Sequence, residues 1–509
     1  MKLIPVFFLA VFSLAAQSLK SIPVESLRDK IAGGWAGQMI GVSYGAPTEF
    51  RYKERIIPDA ELPVWKPEMV AGAIDQDDLY VDMTFAQVLD EKGLDATTED
   101  FGAMFREAKY RLWHANLAAR RNLRRGVPAA LSGTPKYNIH ANDIDFQIES
   151  DFIGLMAPGL PLAATDLAWR AGRVMNYGDG IYGGIFVSCM YSAAFLETDP
   201  KKIVEAGLAC LPRKSPYARL IADVLRWHRA HPQDWRKSWQ LIENKWNRDD
   251  PCPEGALLDF NIDAKINGAY IALGLLYGGG DFGKTIIIST QAGQDSDCNP
   301  SNAAGILGVA QGYRAIPDEW KSGIPAVAGK TFSYTNFTFE TITESTVRRA
   351  IALAEKTGGR RDGDILRVRT QAPRPARLEV WDDFGTPVER ISVTDDRFRR
   401  TGDWQPGRAD ALVSAEKGAS AEIEFEGTGF ILVGQFLPDG GLADITVDGQ
   451  PAATVDVYPD EDSLKNRESL YHAFKLKRGK HTVRLTVRGE PYKDSRGPKI
   501  SLQGLVVFH

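Results

Sequence analysis

The chain has 509 residues, with 61 Lys+Arg against 66 Asp+Glu and a net charge of -5. That length predicts two or three domains, and a composition 44% hydrophobic and 25% charged excludes wholesale disorder. A mildly acidic balance argues against a dedicated nucleic-acid binder, and four cysteines without a CxxC pair exclude a disulfide framework, a zinc ribbon or a thioredoxin-like centre.

The N-terminus opens with Met1-Lys2 and the apolar run Leu3 to Ala16, followed by small residues up to Ser18. The run is too short to span a bilayer as a helix, so residues 1-18 read as a signal peptide, with a buried or interfacial helix as the alternative. The expected address is secreted or periplasmic. No later segment has 18 consecutive apolar residues, so no membrane association is expected after signal removal. Cys189, Cys210, Cys252 and Cys298 show no spacing that assigns a particular bridge.

From Ser21 to about Gly359 the pattern is helical. Helices are expected at Val24–Gly41, Asp77–Glu91, Glu99–Asn122, Ala163–Met175, Tyr182–Leu196 and Ser215–His231. Further helices are expected at Asp234–Asn247, Ile262–Tyr277, Asn302–Tyr313 and Thr343–Lys356. Thr285–Ser289 reads as a strand-like or buried run. The basic stretch Arg120-Arg121-Asn122-Leu123-Arg124-Arg125 reads as a solvated helix end favoured by the dipole.

After the basic, proline-containing stretch Arg360–Arg377 the period shortens. Runs at Ala421–Phe425, Phe430–Phe436, Ala443–Val447, Ala453–Tyr458, Leu470–Leu476, His481–Val487 and Ile500–Phe508 predict strands separated by turns such as Asp448-Gly449. The expected architecture is therefore multidomain: a signal peptide at 1-18, an all-α domain at 19-372 and an all-β sandwich at 373-509.

Two acidic clusters sit where helices begin. Asp75-Gln76-Asp77-Asp78 precedes one helix, with Asp82 a turn further on, and Asp295-Ser296-Asp297 precedes a small-residue helix. Adjacent carboxylates repel, so each cluster either caps its helix or turn, or surrounds a cation. An oxygen donor set suits Mg²⁺, Mn²⁺ or Ca²⁺. Gly41-Val42-Ser43-Tyr44-Gly45 matches GxSxG, but an expected helix precedes the serine and Pro47 follows, which excludes a strand-to-helix nucleophile elbow. No pair of histidines has HxxxH spacing, so no zinc-hydrolase signal is present.

Three segments make the sequence resemble the ADP-ribosylglycohydrolase family. Gly33-Gly34-Trp35-Ala36-Gly37-Gln38-Met39-Ile40-Gly41, continuing to Glu49, is similar to its opening glycine-rich helix and glutamate. Gln76-Asp77-Asp78 is similar to its Thr-Asp-Asp motif, and Gly293-Gln294-Asp295-Ser296-Asp297-Cys298 to its closing motif. A weaker match is Gly154-Leu155-Met156-Ala157-Pro158.

The resemblance implies an α-helical hydrolase with two Mg²⁺ ions at Asp77, Asp78, Asp295 and Asp297, with Gln76 and Cys298 at the remaining ligand positions. It implies catalytic roles for Glu49, Asp77 and Asp295, with Glu49 as acid/base or substrate-orienting carboxylate. Substrate contacts are expected at Gly154 and Met156, and at Asp179 in the middle of the chain. Gln38, Gln76, Leu79 and Cys298 depart from the family pattern, and Asp75 is a candidate replacement oxygen donor.

The expected function is cleavage of an N- or O-glycosidic bond at a ribose-like or other sugar, with a small molecule or glycan as substrate. The alternative is a non-catalytic sugar- or nucleotide-binding protein that retains the metal pocket. The C-terminal sandwich resembles galactose-binding-like modules, with Trp381, Trp404, Tyr458 and Tyr471 as stacking or core residues. The oligomeric state is not legible.

Overall fold

Glycine at every fourth position shapes the first helix, Val24–Gly45, and through it the catalytic half of the molecule. The computed structural model describes residues 19–247 and 250–509, so the expected signal peptide lies outside the described residues. A Cβ on Gly33, Gly37, Gly41 or Gly45 would lie 2.2, 2.2, 2.3 and 2.0 Å from the carbonyl oxygens of Gly308, Ala304, Pro300 and Ser296. The helix Cys298–Gln311 therefore runs antiparallel along that stripe at backbone contact, a separation no larger residue permits.

Seventeen α-helices occupy the described residues up to Lys356. Most carry the expected periodicity, but two expectations are corrected. Thr285–Ser289 lies inside the helix Phe282–Gln291, whose N-terminus is capped by Asp281 accepting from the Lys284 N–H at 2.8 Å. The expected Glu99–Asn122 helix is two, Thr98–Glu107 and His114–Arg124. Between them the Arg120 guanidinium donates to the carbonyls of Ala108 at 3.3 Å and Tyr110 at 2.5 Å, satisfying backbone groups that the break releases. A disulfide joins Cys189 to Cys210, bridging the helix Asp179–Ala194 to the end of Pro200–Ala209.

Strand Leu19–Pro23 pairs antiparallel with Ile365–Arg369, which also pairs with Arg360–Asp362. Residues 370–386 carry no regular element, and two antiparallel sheets follow. One has the order Gln450–Asp456, Gly441–Val447, Gly479–Pro491, Ser420–Gly427, Arg399–Thr401. The other runs Lys465–Ala473, Gly429–Phe436, Ile500–Phe508, Leu412–Ser414, Gln405–Pro406, with Pro387–Ser392 also on Ile500–Phe508. Strands at 387–392, 399–401, 405–406 and 412–414 carry too little alternation to be read from sequence.

The basic run at 120–125 is not a solvated helix end. Arg120 is 1% exposed and pairs with Glu461 at 2.8 Å. Arg121 and Arg125 reach Asp456 at 3.1 and 2.6 Å, and Arg125 reaches Asp460 at 2.8 Å. Arg121 also stacks over Phe436, 3.6 Å from its ring centre. The run clamps the sandwich onto the helices, and charge alone does not show which way an arginine faces.

The four aromatic residues considered for sugar stacking do not share a face. Trp381 is buried among Ile139, Ala141 and Phe384, Tyr458 stacks on Tyr492, Tyr471 lies against Phe430, and Trp404 donates to its own turn at Thr401.

Candidate active site

Leaving the glycine-faced helix at Gly45, the chain makes a short turn, Ala46–Thr48, and delivers Glu49 beside the loop at 292–297. Thr48 Oγ1 stands 2.8 Å from Ser296 Oγ, and the Phe50 N–H donates to the Gln294 carbonyl at 3.0 Å. That loop turns through positive φ at Gly293 (84°) and Gln294 (55°), which swings Asp295 and Asp297 toward the start of the Asp77–Lys92 helix.

These elements enclose a cavity of about 450 Å³. Glu49, Asp75, Gln76, Asp77, Asp295 and Cys298 line one side, and Asp78 and Asp297 stand behind them, 1% and 2% exposed. Glu49, Asp295 and Asp297 each bring a carboxylate oxygen within 4.8 Å of the others. Asp78, Asp297 and Cys298 form a second such group, so Asp297 is common to both.

The electrostatics are those of a site built for cations. The protein around its carboxyl and the neighbouring carboxylates of Asp297 and Asp77 push Glu49 up to about 9. Burial and Asp297 raise Asp77 to about 6 and push Asp78 well above the usual range, and the same two causes raise Asp295. Oδ1 of Asp78, Asp295 and Asp297 is buried without a hydrogen-bond partner. Orphaned, mutually repelling oxygens of this kind fit hard divalent cations. Cys298 Sγ donates to Asp78 Oδ2 at 3.4 Å, giving this position a thiol instead of an oxygen ligand.

Other expected positions lie elsewhere. Gly154 is a packing glycine: a Cβ there would sit 2.4 Å from Tyr191 Cβ and 2.7 Å from the Ser188 carbonyl. Met156 is fully buried in the helical core. Asp179 opens the helix Asp179–Ala194, accepts from the Tyr217 N–H at 3.3 Å and is buried off the cavity wall, with burial raising its carboxyl to about 7. None of these three is among the residues lining the cavity. Asp82 accepts from the Phe152 N–H at 3.1 Å, behind the site. Ser43 is buried inside the first helix.

The opposite wall was not foreseen. It carries Lys53, Trp113, His114, Asn116, Asp145 and Glu254, with Phe50 and Phe260 packed at 4.8 Å and His114 stacked on Phe260 at 5.5 Å. Asp145 accepts from the Asn116 and Ala115 N–H groups at 2.9 and 3.3 Å, anchoring the start of the His114–Arg124 helix. His114 adopts φ 44° and lies 3.6 Å from Glu254; against a lowering by burial, Glu254 and Asp145 raise its imidazole. The sandwich reaches this wall: the Lys465 ammonium lies 4.2 Å from the Trp113 ring centre, and Arg390 donates to the Ala256 carbonyl at 2.7 Å. Isolated residues at helix starts and in loops leave no motif signal in sequence.

Comparison with known proteins adds the following. A family model described as ADP-ribosylglycohydrolase matches residues 23–360. Among solved structures, an ADP-ribosylglycohydrolase-related protein complex is 18% identical, covering 64% of this chain and 99% of its own, with a TM-score of 0.39. A family two carbohydrate esterase from Cellvibrio japonicus is 13% identical, covering 24% of this chain and 33% of its own, with a TM-score of 0.19. The CBM36-1 domain of a multidomain xylanase from the hindgut metagenome of Trinervitermes trinervoides is 13% identical, covering 23% and 94%, with a TM-score of 0.18. No curated protein matches the sequence.

Proposed function

The chain belongs to the ADP-ribosylglycohydrolase family, and from that premise we propose that it is an exported, Mg²⁺-dependent glycohydrolase acting on a glycoside without phosphate groups. The observation that carries the reading is the convergence of Glu49, Asp295 and Asp297 with Asp78 and Cys298 on one cavity, Asp297 being shared. Asp77, Asp78, Asp295 and Asp297 are the residues to hold two divalent cations. Bound there, such cations supply charge stabilisation and a grip on vicinal sugar hydroxyls.

The chain's own groups do the rest. Glu49 opens onto the cavity and carries the acid/base role. The carboxylate wall favours positive charge developing on the sugar ring as the glycosidic bond breaks. Phe50, Phe260 and His114 offer an apolar surface to the ring or its leaving group.

The lining charges support the substrate class. Glu49, Asp75, Asp77, Asp145, Glu254 and Asp295 face the cavity against Lys53, the single lysine or arginine among the described lining residues. With the cations' charge offsetting Asp77, Asp78, Asp295 and Asp297, the remaining Asp75, Asp145 and Glu254 still leave the wall acidic, which disfavours a diphosphate and admits a neutral or cationic glycoside. The leader expected at 1–18 and a galactose-binding-like reading of the sandwich support an extracellular glycan or glycoside. The thiol of Cys298 on Asp78 and the amide of Gln76 favour the second reading, a sugar-binding protein that holds a cation without turnover.

Sugar release from aryl furanosides and pyranosides, nucleosides and ADP-ribosyl conjugates, with Mg²⁺ and then EDTA, separates these readings. EDTA-sensitive release from a phosphate-free glycoside is the expected result. Release from the ADP-ribosyl conjugates alone would overturn the substrate class. Mg²⁺ binding without release of any sugar would favour the binding protein.

A further inference from the structure

A second set of metal-ligating side chains lies apart from the acidic wall. His140, Asp143 and Cys252 each place a ligand atom within 4.8 Å of the others. Their exposures are 3%, 1% and 0%. His140 Nδ1 is 2.7 Å from Asp143 Oδ2, and Cys252 is outside the disulfide. Asp250, two positions before the cysteine, accepts from the Cys252 N–H at 2.8 Å through Oδ1. Its Oδ2 and Asp143 Oδ1 are both buried without partners. The lysine in this region, Lys265, is engaged by Asp263. Burial, with Asp143 and Asp250 facing it, pushes the Cys252 thiol well up, and burial with Asp250 does the same to Asp143.

Buried carboxylate oxygens without donors are costly, and hydrogen bonds within this group leave two unsatisfied. We propose that His140, Asp143 and Cys252 bind one zinc ion, which fastens the segment at 250–263 to the segment at 138–145. One imidazole nitrogen, one carboxylate oxygen and one sulfur form a borderline-soft set, unlike the oxygen set of the acidic wall, with Asp250 as a further carboxylate beside Cys252. Binding converts the thiol to a thiolate and releases its proton to solvent. With Nδ1 on the metal, His140 Nε2–H points to Glu468, whose Oε2 lies 4.0 Å away on the sandwich strand Lys465–Ala473.

The consequence reaches the cavity. The first segment carries Glu254, Phe260 and Ile262, and the second carries Ile144 and Asp145. The two are already joined by Ile144 N–H to Ile262 carbonyl at 2.9 Å and Ala264 N–H to Asn142 carbonyl at 3.0 Å. The ion holds two segments of the wall facing Glu49 in register, whatever reaction the cavity performs.

The test is made on the full-length mature protein, purified without chelator. Elemental analysis is expected to find zinc at one equivalent per chain. After exchange for cobalt(II), a thiolate-to-cobalt charge-transfer band is expected that survives Cys298→Ser and is lost in Cys252→Ser. Should Cys252→Ser fail to fold, wild-type protein decides: stripping zinc is expected to speed amide exchange within 250–263. Absence of retained zinc together with absence of a cobalt band overturns the proposal. So does a band lost in Cys298→Ser and kept in Cys252→Ser, or amide exchange at 250–263 unchanged by stripping.

Discussion

Thr48 and Ser296, 248 positions apart, meet through their hydroxyls at 2.8 Å, and neither touches solvent appreciably. Each stands next to a carboxylate of the acidic wall: Glu49 follows Thr48, and Asp295 and Asp297 flank Ser296. Replacing Thr48 by Val takes from the Ser296 hydroxyl its partner, replacing Ser296 by Ala leaves Thr48 only its bond to the Gly45 carbonyl, and either change loosens the three neighbouring carboxylates. We expect a loss of Mg²⁺ affinity of about 10–100-fold, the range found when groups supporting metal ligands are removed. Titration of the mature protein with Mg²⁺, read by calorimetry, checks it; unchanged affinity in both variants would show that the hydroxyl pair does not position the carboxylates.

Asp297 raises Glu49, Asp77, Asp78 and Asp295 by its charge. Asp297→Asn removes that repulsion and one shared donor together. Melting in EDTA should therefore rise or stay level, while the stabilisation by added Mg²⁺ and any metal-dependent turnover should vanish. A variant that melts lower in EDTA and still responds to Mg²⁺ would contradict the shared-carboxylate site.

The glycine stripe admits no side chain. Gly37→Ala puts a methyl 2.2 Å from the Ala304 carbonyl oxygen, and the two helices must part to hold it. Overpacking of this kind costs about 1–3 kcal/mol, and the displacement also moves Glu49 relative to Asp295. Denaturant unfolding should show the loss, whereas Gly72→Ala, a position with open space around its Cβ, should be close to neutral.

Asp456 joins the sandwich to the arginine helix. Although burial raises its carboxyl, Arg121 and Arg125 bring it down to about 2, below the usual value of about 3.9. A depressed folded-state pKa gives stability that is complete above the unfolded value and is lost as pH falls through the folded one. The interface should thus weaken between about pH 4 and pH 2, by about 2–3 kcal/mol from this group. Arg125→Ala breaks the buried pair at neutral pH and should cost about 3–5 kcal/mol. Small-angle scattering and thermal unfolding across this pH range check both; acid resistance equal at pH 2 and pH 6 would exclude the clamp.

What sequence carried best was local. The helix pattern up to Lys356 and the alternation after residue 420 are short-range periods, and they placed an all-helical part before an all-β part. The acidic clusters were visible because like charges at a helix start demand an explanation, and the glycines were visible through their resemblance to the family's opening helix.

Tertiary structure decided what those residues face. Arg120, Arg121 and Arg125 look like any solvated helix end until Glu461, Asp456 and Asp460 arrive from the sandwich. Gly154 and Met156 match a motif yet spend their positions on packing against Tyr191 and the core. His114 and Asp145 open helices and Glu254 lies in an irregular segment, positions that the helical period does not constrain, and only chain closure puts them opposite Glu49. His140-x-x-Asp143 and Asp250-x-Cys252 are separately unremarked pairs that long-range strand and loop contacts bring to one point. Sequence determined the chemistry available and the local shape of the chain, because both depend on neighbouring residues. Which carboxylates share a cation and which wall faces them depended on contacts between segments far apart in the chain, and these exist only once the helices and the sandwich have packed.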